Sequence, residues 1–325
     1  MKAILAEFAQ TGGPEVITLR EVDLPAPGPG EVTVVQSAVG INYLDTYHRG
    51  GVYPIKLPSG LGVEAAGTVA ALGDGVTGLR GGDRVATFGP ALGAYASARN
   101  VPAASLFVLP DTIDERTAAA ALLKAATTEF LVERCAKVQP GWPVLVHAAA
   151  GGVGLLLVQW LKHKGAIVIG TVSTAAKAEA ARAAGADHVI RYDSEPVAAT
   201  VRELTGGAGV RVVFDGVGMS TWAASLDSAA HRGLIISYGN AAGPVTGVGL
   251  GILAAKGSLF VTRPTLFDYY SDPAERAAGA ALVWNMIGSG QLAVTIGQTW
   301  PLSEAAAAHR ALEARETTGS SLLIP

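Results

Sequence analysis

Hydrophobic and polar positions change rhythm once along the chain. Over roughly the first 120 residues, apolar positions come in short runs cut by turn residues: KAILAEF, VITLREV, EVTVVQSAV, AAGTVAAL and DRVATF. A stiff connector, PAPGPGE, separates the second run from the third. Short, closely spaced runs with many glycines predict a compact β-barrel-type domain. From about residue 123 the pattern becomes strand, helix, strand. Strands are expected at Val144–His147, Ile167–Val172, His188–Tyr192, Arg211–Asp215, Leu234–Tyr238 and Ser258–Thr262. Between them lie helical stretches such as TAAKAEAARAAG, closed by Gly185, and EPVAATVRELTGG, closed by Gly206. Alternating β and α elements imply a parallel sheet with helices on both faces. A helix near Pro273–Ser289, then TWPLSEAAAAHRALEARE and an apolar ending, SSLLIP, complete the chain. That last strand is expected to return to the first domain.

Composition narrows the function. A length of 325 residues suits two domains. Charged residues are 16% of the chain, below the roughly 25% usual for soluble domains, which suggests much internal surface or a subunit interface. The net charge of −3 argues against nucleic-acid binding, which needs clustered Lys and Arg. A single cysteine, Cys135, excludes an intramolecular disulfide and a multi-thiolate metal site. No signal-peptide pattern opens the sequence and no apolar run is long enough to span a membrane, so a cytoplasmic protein is expected.

One stretch carries candidate chemistry. In VLVHAAAGGVGLLLVQWL, Gly151, Gly152 and Gly154 follow the first strand of the alternating region and open a helix, Val153 to His163. A dinucleotide-binding fold puts its pyrophosphate there, on unpaired backbone N–H groups at the positive end of a helix. The first glycine of the usual G-x-G-x-x-G is here Ala149. No GxxxxGK[ST] occurs, which excludes the common phosphoryl-transfer loop. An NAD site wants an acid about 20 residues further on; this chain has GTVST, with Ser173 and Thr174, then Lys177, and Tyr192 ends the next strand. Hydroxyls and a cation without an acid point to NADPH.

The motifs GINYLDTYHRGGVYP, LPSGLGVEAAGTV, GDRVATF, HAAAGGVG, YGNAAGPVTGV, KGSLFVTRP and TGSSLLIP occur in that order over essentially the full length. In this the chain resembles the zinc-free quinone oxidoreductases of the medium-chain dehydrogenase/reductase superfamily. The resemblance implies a GroES-like β-barrel-type domain at 1–122, completed by 266–325, and a doubly wound parallel-sheet Rossmann domain at 123–265. It also implies NADPH, an active site in the interdomain cleft and a homodimer. Zinc-dependent relatives place a Cys and a Gly-His-Glu in the first domain; the matching positions here hold Asn42 and Val63, with Glu64 left alone. No zinc is expected, since a catalytic zinc normally needs three protein ligands.

By the same resemblance Asn42, Tyr47 and Tyr53 line the acceptor pocket, where a phenol or carboxamide can bond the acceptor oxygen. Cofactor contacts are expected from Asn42, Thr127, Gly151, Gly152, Val153, Ser173, Lys177, Tyr192, Tyr238, Gly239, Asn240, Arg263 and Arg315. Glu129 stands where relatives often have an aromatic residue, so the nicotinamide side is expected to differ. Quinones and conjugated enones accept electrons without a Lewis acid, so positioning beside the nicotinamide is enough. Two alternatives are an NADPH-dependent 2-alkenal or enone reductase and a non-enzymatic NADPH- or nucleic-acid-binding role. Saturated carbonyl products would mark the first, and salt-sensitive gel shifts the second.

Overall fold

A computed structural model describes residues 1–89 and 91–325. The chain divides into two compact units, Met1–Lys124 with Val294–Pro325, and Ala125–Ala293. The sequence boundary set 266–293 with the barrel, whereas the structure groups this segment with the second unit. Two ties explain the grouping. The Gln159 carboxamide bonds Ala293 through both backbone groups, and the Tyr270 phenol donates to Glu129.

The first unit is built on two antiparallel-rich sheets. One has three strands, with Lys2–Phe8 between Thr18–Asp23 and Ser59–Gly60. The other has seven, centred on Glu31–Ile41, which pairs with Glu64–Leu72, Ala98–Pro102 and Ser320–Ile324. The chain's last strand does return: Leu322 faces Gly40 and Leu323 faces Val39. Ile296–Pro301 then pairs parallel to it at the sheet edge. Phe8, Val39, Ile41, Leu61 and Tyr95 share one core cluster with Leu302, Ala305, Ala308 and Leu323.

The second unit holds six parallel strands, Pro143–Val146, Ile167–Val172, His188–Arg191, Val210–Asp215, Ala229–Ser237 and Phe260–Thr262. In order of appearance they lie 3-2-1-4-5-6, the order of a dinucleotide-binding sheet. Val144, Leu145 and Val146 are fully buried, as a strand covered on both faces requires. The first strand stops before His147, because the next residue, Ala148, turns to φ 52° and leaves the ladder. Among the described residues no helix is long and apolar enough to cross a membrane.

Candidate functional site

The glycine turn joins strand Pro143–Val146 to helix Gly152–His163. Gly151 is the extended N-cap and offers no side-chain cap, so the first-turn N–H groups remain for an anion. Gly154 is demanded by packing: a Cβ there would lie 2.2 Å from the Ala148 carbonyl oxygen. Gly151, Gly152 and Val153 are half-buried at the rim of this turn.

Beneath the turn lies a buried chain of hydrogen bonds. His147 Nδ1 faces Thr171 Oγ1 at 2.9 Å and Nε2 faces Ser225 Oγ at 3.1 Å. Ser225 donates to Asp215 Oδ2 at 2.7 Å, so it must accept from His147, which puts the ring proton on Nε2. Burial pushes the His147 pKa down, keeping the ring neutral. The chain ties together the ends of three neighbouring strands, two of which lead into predicted cofactor loops.

The second strand ends at Val172, and Ser173 follows it. Thr174 caps helix Ala175–Ala183 and accepts the Lys177 backbone N–H at 3.3 Å, which fixes Lys177 in the first turn. Tyr192 follows the adjacent strand, which ends at Arg191, and its backbone N–H donates to Val172 O at 3.1 Å. The structure thus gathers Ser173, Lys177 and Tyr192 at one pair of strand ends. Tyr238, Gly239 and Asn240 leave the fifth strand in the same way. Arg263 Nη1 donates to Ser237 O at 2.7 Å, and with the Asn240 carboxamide turned to satisfy its neighbours, Nη2 donates to its oxygen at 3.1 Å. The predicted cofactor residue Arg263 is therefore a brace for the Tyr238–Asn240 turn.

Thr127 is buried near the end of helix Glu115–Glu129. Glu129 does not point an unpaired charge at anything: Arg134 donates to it at 2.8 Å and so does the Tyr270 phenol. Burial raises the Glu129 pKa against both of these bonds. At Glu129 the helix gives way to a π-helical stretch, Phe130–Ala136, a distortion often found at functional sites.

On the barrel unit, Asn42 follows the long strand, which ends at Ile41, and caps helix Tyr43–Gly50. Its Nδ2 donates to Glu64 Oε2 at 2.8 Å and lies 3.4 Å from Gly40 O. A carboxylate only accepts, so the amide orientation is fixed, and the side-chain oxygen, which accepts the Asp45 N–H in a capping box, keeps a second lone pair for a reactant. This modifies the expectation that Asn42 donates to the acceptor. Tyr47 is buried and Tyr53 half-buried, their rings edge to face at 5.3 Å. Arg315 is exposed, at φ 61°, and its charge reaches Tyr43.

Sequence reasoning missed two features of this unit. Glu64 is fully buried and accepts the Leu123 N–H at 2.6 Å and the Lys124 ammonium at 3.2 Å. The signal was Lys124, the one charge inside AAAALLKAATT. With Glu64 held by an ammonium and Val63 and Asn42 beside it, the donor set does not fit a catalytic zinc. Among the described residues no group of His, Cys, Asp and Glu could hold a metal ion. The second missed feature is a carboxyl–phenol–imidazole series, Asp45, Tyr95 and His309, behind Asn42.

Family models match segments of both units. Residues 28–111 match the alcohol dehydrogenase GroES-like domain, and 152–269 match the zinc-binding dehydrogenase family. The chain is 49% identical to a quinone oxidoreductase of Pseudomonas aeruginosa over 98% of both chains. It is 43% identical to a 2-haloacrylate reductase of Burkholderia, again over 98% of both. The structure of Escherichia coli quinone oxidoreductase complexed with NADPH superimposes with a TM-score of 0.97 at 47% identity, covering 99% of this chain and all of that one.

Proposed function

The chain belongs to the quinone oxidoreductases of the medium-chain dehydrogenase/reductase superfamily, and from that membership we infer that it reduces quinones with NADPH and without a metal. NADPH, when bound, supplies the hydride. The chain's own residues bind and orient. Backbone N–H groups at Gly151, Gly152 and Val153 take the pyrophosphate. Ser173, Lys177 and Tyr192 take the 2′-phosphate. Thr127 and the Tyr238-Gly239-Asn240 turn, braced by Arg263, hold the nicotinamide end. Arg315 offers its exposed cation to the cofactor. On the barrel unit Tyr53 donates to the quinone oxygen, Tyr47 backs its ring, and the Asn42 side-chain oxygen accepts from the hydroxyl of the hydroquinone as it forms.

The observation that carries this reading is the closure of Glu64 by Lys124. Reducing an ordinary aldehyde wants a Lewis acid, and this carboxylate is already neutralised. A quinone needs none. The test is NADPH oxidation across ortho-quinones, para-quinones and 2-enals, with and without a strong chelator. Turnover of quinones unchanged by chelation is expected; about one zinc per chain, with activity lost on its removal, would overturn the reading. The likeness to a 2-haloacrylate reductase favours enone reduction as the second reading, for which a saturated carbonyl product is the mark.

We further propose that the protein works in the cytoplasm as a homodimer. Support for the dimer comes from strand Phe260–Thr262, the edge of the six-stranded sheet. Phe260, on this edge, is 62% exposed, an apolar edge position that an isolated chain would be expected to blunt. Phe260→Lys should shift sedimentation from dimer to monomer; a wild-type sedimentation coefficient for this variant would place the interface elsewhere.

A further inference from the structure

Asp45 stands one turn into the helix that Asn42 caps, and it is completely buried. Its Oδ2 accepts the Asn42 backbone N–H at 2.8 Å and the Tyr95 phenol at 2.9 Å. Its Oδ1 is buried with no hydrogen-bond partner. Tyr95 Oη also lies 3.0 Å from His309 Nε2, and His309 Nδ1 lies 2.9 Å from Arg49 Nη1. Arg49 is held in turn by Gly12 O at 3.0 Å and Glu313 at 2.6 Å.

The direction of every bond follows. A guanidinium only donates, so His309 Nδ1 accepts and the ring proton sits on Nε2. His309 then donates to Tyr95, and the Tyr95 proton goes to Asp45. Arg49, His309, Tyr95 and Asn42 are thus aligned on one carboxylate oxygen.

We propose that ionised Asp45 is the positioning residue for Asn42: it draws the Asn42 N–H and the Tyr95 phenol onto one oxygen, and so sets the carboxamide that meets the reactants. The proposal rests on the role given to Asn42 above. Burial, joined by the charge of Glu64, pushes the Asp45 pKa up to about 7, against the Asn42 and Tyr95 bonds and the cation of Lys124. Arg49 and Glu313 lie beyond Tyr95, and burial with the Arg49 charge holds His309 neutral, its pKa pushed down to about 3. Asp45 thus changes charge near neutral pH, while burial beside it keeps the Tyr95 phenol neutral. Protonation weakens Oδ2 as an acceptor and slackens the hold on Asn42, while the cofactor unit keeps its own contacts.

The test is the pH profile of quinone kcat/KM with NADPH saturating. In the wild type it should rise through a midpoint near 7. Asp45→Asn keeps shape and an acceptor oxygen; it should lose that acid limb, lower turnover about tenfold, as one charged hydrogen bond would, and leave NADPH affinity within about twofold. Tyr95→Phe removes a donor to the carboxylate and should move the midpoint upward. An Asp45→Asn enzyme that keeps the wild-type acid limb overturns the proposal, as does one whose NADPH affinity falls in step with turnover. Asn42→Ala separates the two ideas: unchanged turnover there sinks the role of Asn42, whereas reduced turnover with an intact limb in Asp45→Asn sinks the role of Asp45 alone.

Discussion

Lys124→Ala should destabilise the barrel unit by about 3–5 kcal/mol, the usual result of removing one partner from a buried ion pair. The Glu64 side chain is 0% exposed and that of Lys124 6%, so water cannot replace the ammonium. The bonds from Leu123 and Asn42 would remain, but neither carries the opposite charge. Changing both residues, Lys124→Met with Glu64→Gln, should cost much less, because no charge is left buried. The measurement is denaturant unfolding followed by probes in both units, since a two-unit chain need not unfold in one step. A loss below about 1 kcal/mol for Lys124→Ala would show that the pair behaves like a solvated one.

Cofactor choice is the second large effect. Lys177→Ala should weaken NADPH by about ten- to a hundredfold, the equivalent of one charge-assisted hydrogen bond of roughly 1.5–3 kcal/mol. NADH lacks the phosphate and should change little. The helix should survive, because Thr174 caps it through the backbone N–H of residue 177 and not through the side chain. Adding Ser173→Asp places an acceptor at the end of the second strand, where it would repel a 2′-phosphate and serve a free 2′-hydroxyl. The preference for NADPH should then narrow or invert. Fluorescence titration of both nucleotides decides it; equal losses for NADPH and NADH would make Lys177 a solvated helix residue.

The cofactor unit was readable from sequence because its signals are local. Each parallel strand is a short apolar run, and the glycine turn and the acid-free GTVST follow directly from strand ends. The helix at Tyr43–Gly50 was not readable as one, since it buries Asp45, Thr46 and Arg49 and so breaks the usual apolar stripe. Helix Glu115–Glu129 hides for the opposite reason. Ala118 to Ala126 are buried all round, and a helix covered on every side has no period to detect. Strand Ile296–Pro301 ends in proline and alternates half-buried with exposed positions, a weak edge-strand signal. The Asp45–Tyr95–His309 series joins hydrogen-bonded residues that lie 50 and 214 positions apart along the chain, and no window of sequence contains it. Its one trace was a histidine in a run of alanines, AAAAHRAL.

The returning strand Ser320–Ile324 has a consequence for the nascent chain. It lies between Glu31–Ile41 and Ile296–Pro301, so the seven-stranded sheet stays open until the ribosome has delivered residues 294–325. At about 5–20 residues per second, the strands made first wait roughly 10–40 s after Lys124 emerges. Through that interval Val39 and Ile41, buried in the finished fold, belong to an unpaired edge of the kind that chaperones shield. The intervening unit, Ala125–Ala293, is continuous and has all its strands before the tail appears. The unit whose strands are made first is therefore the unit that closes last.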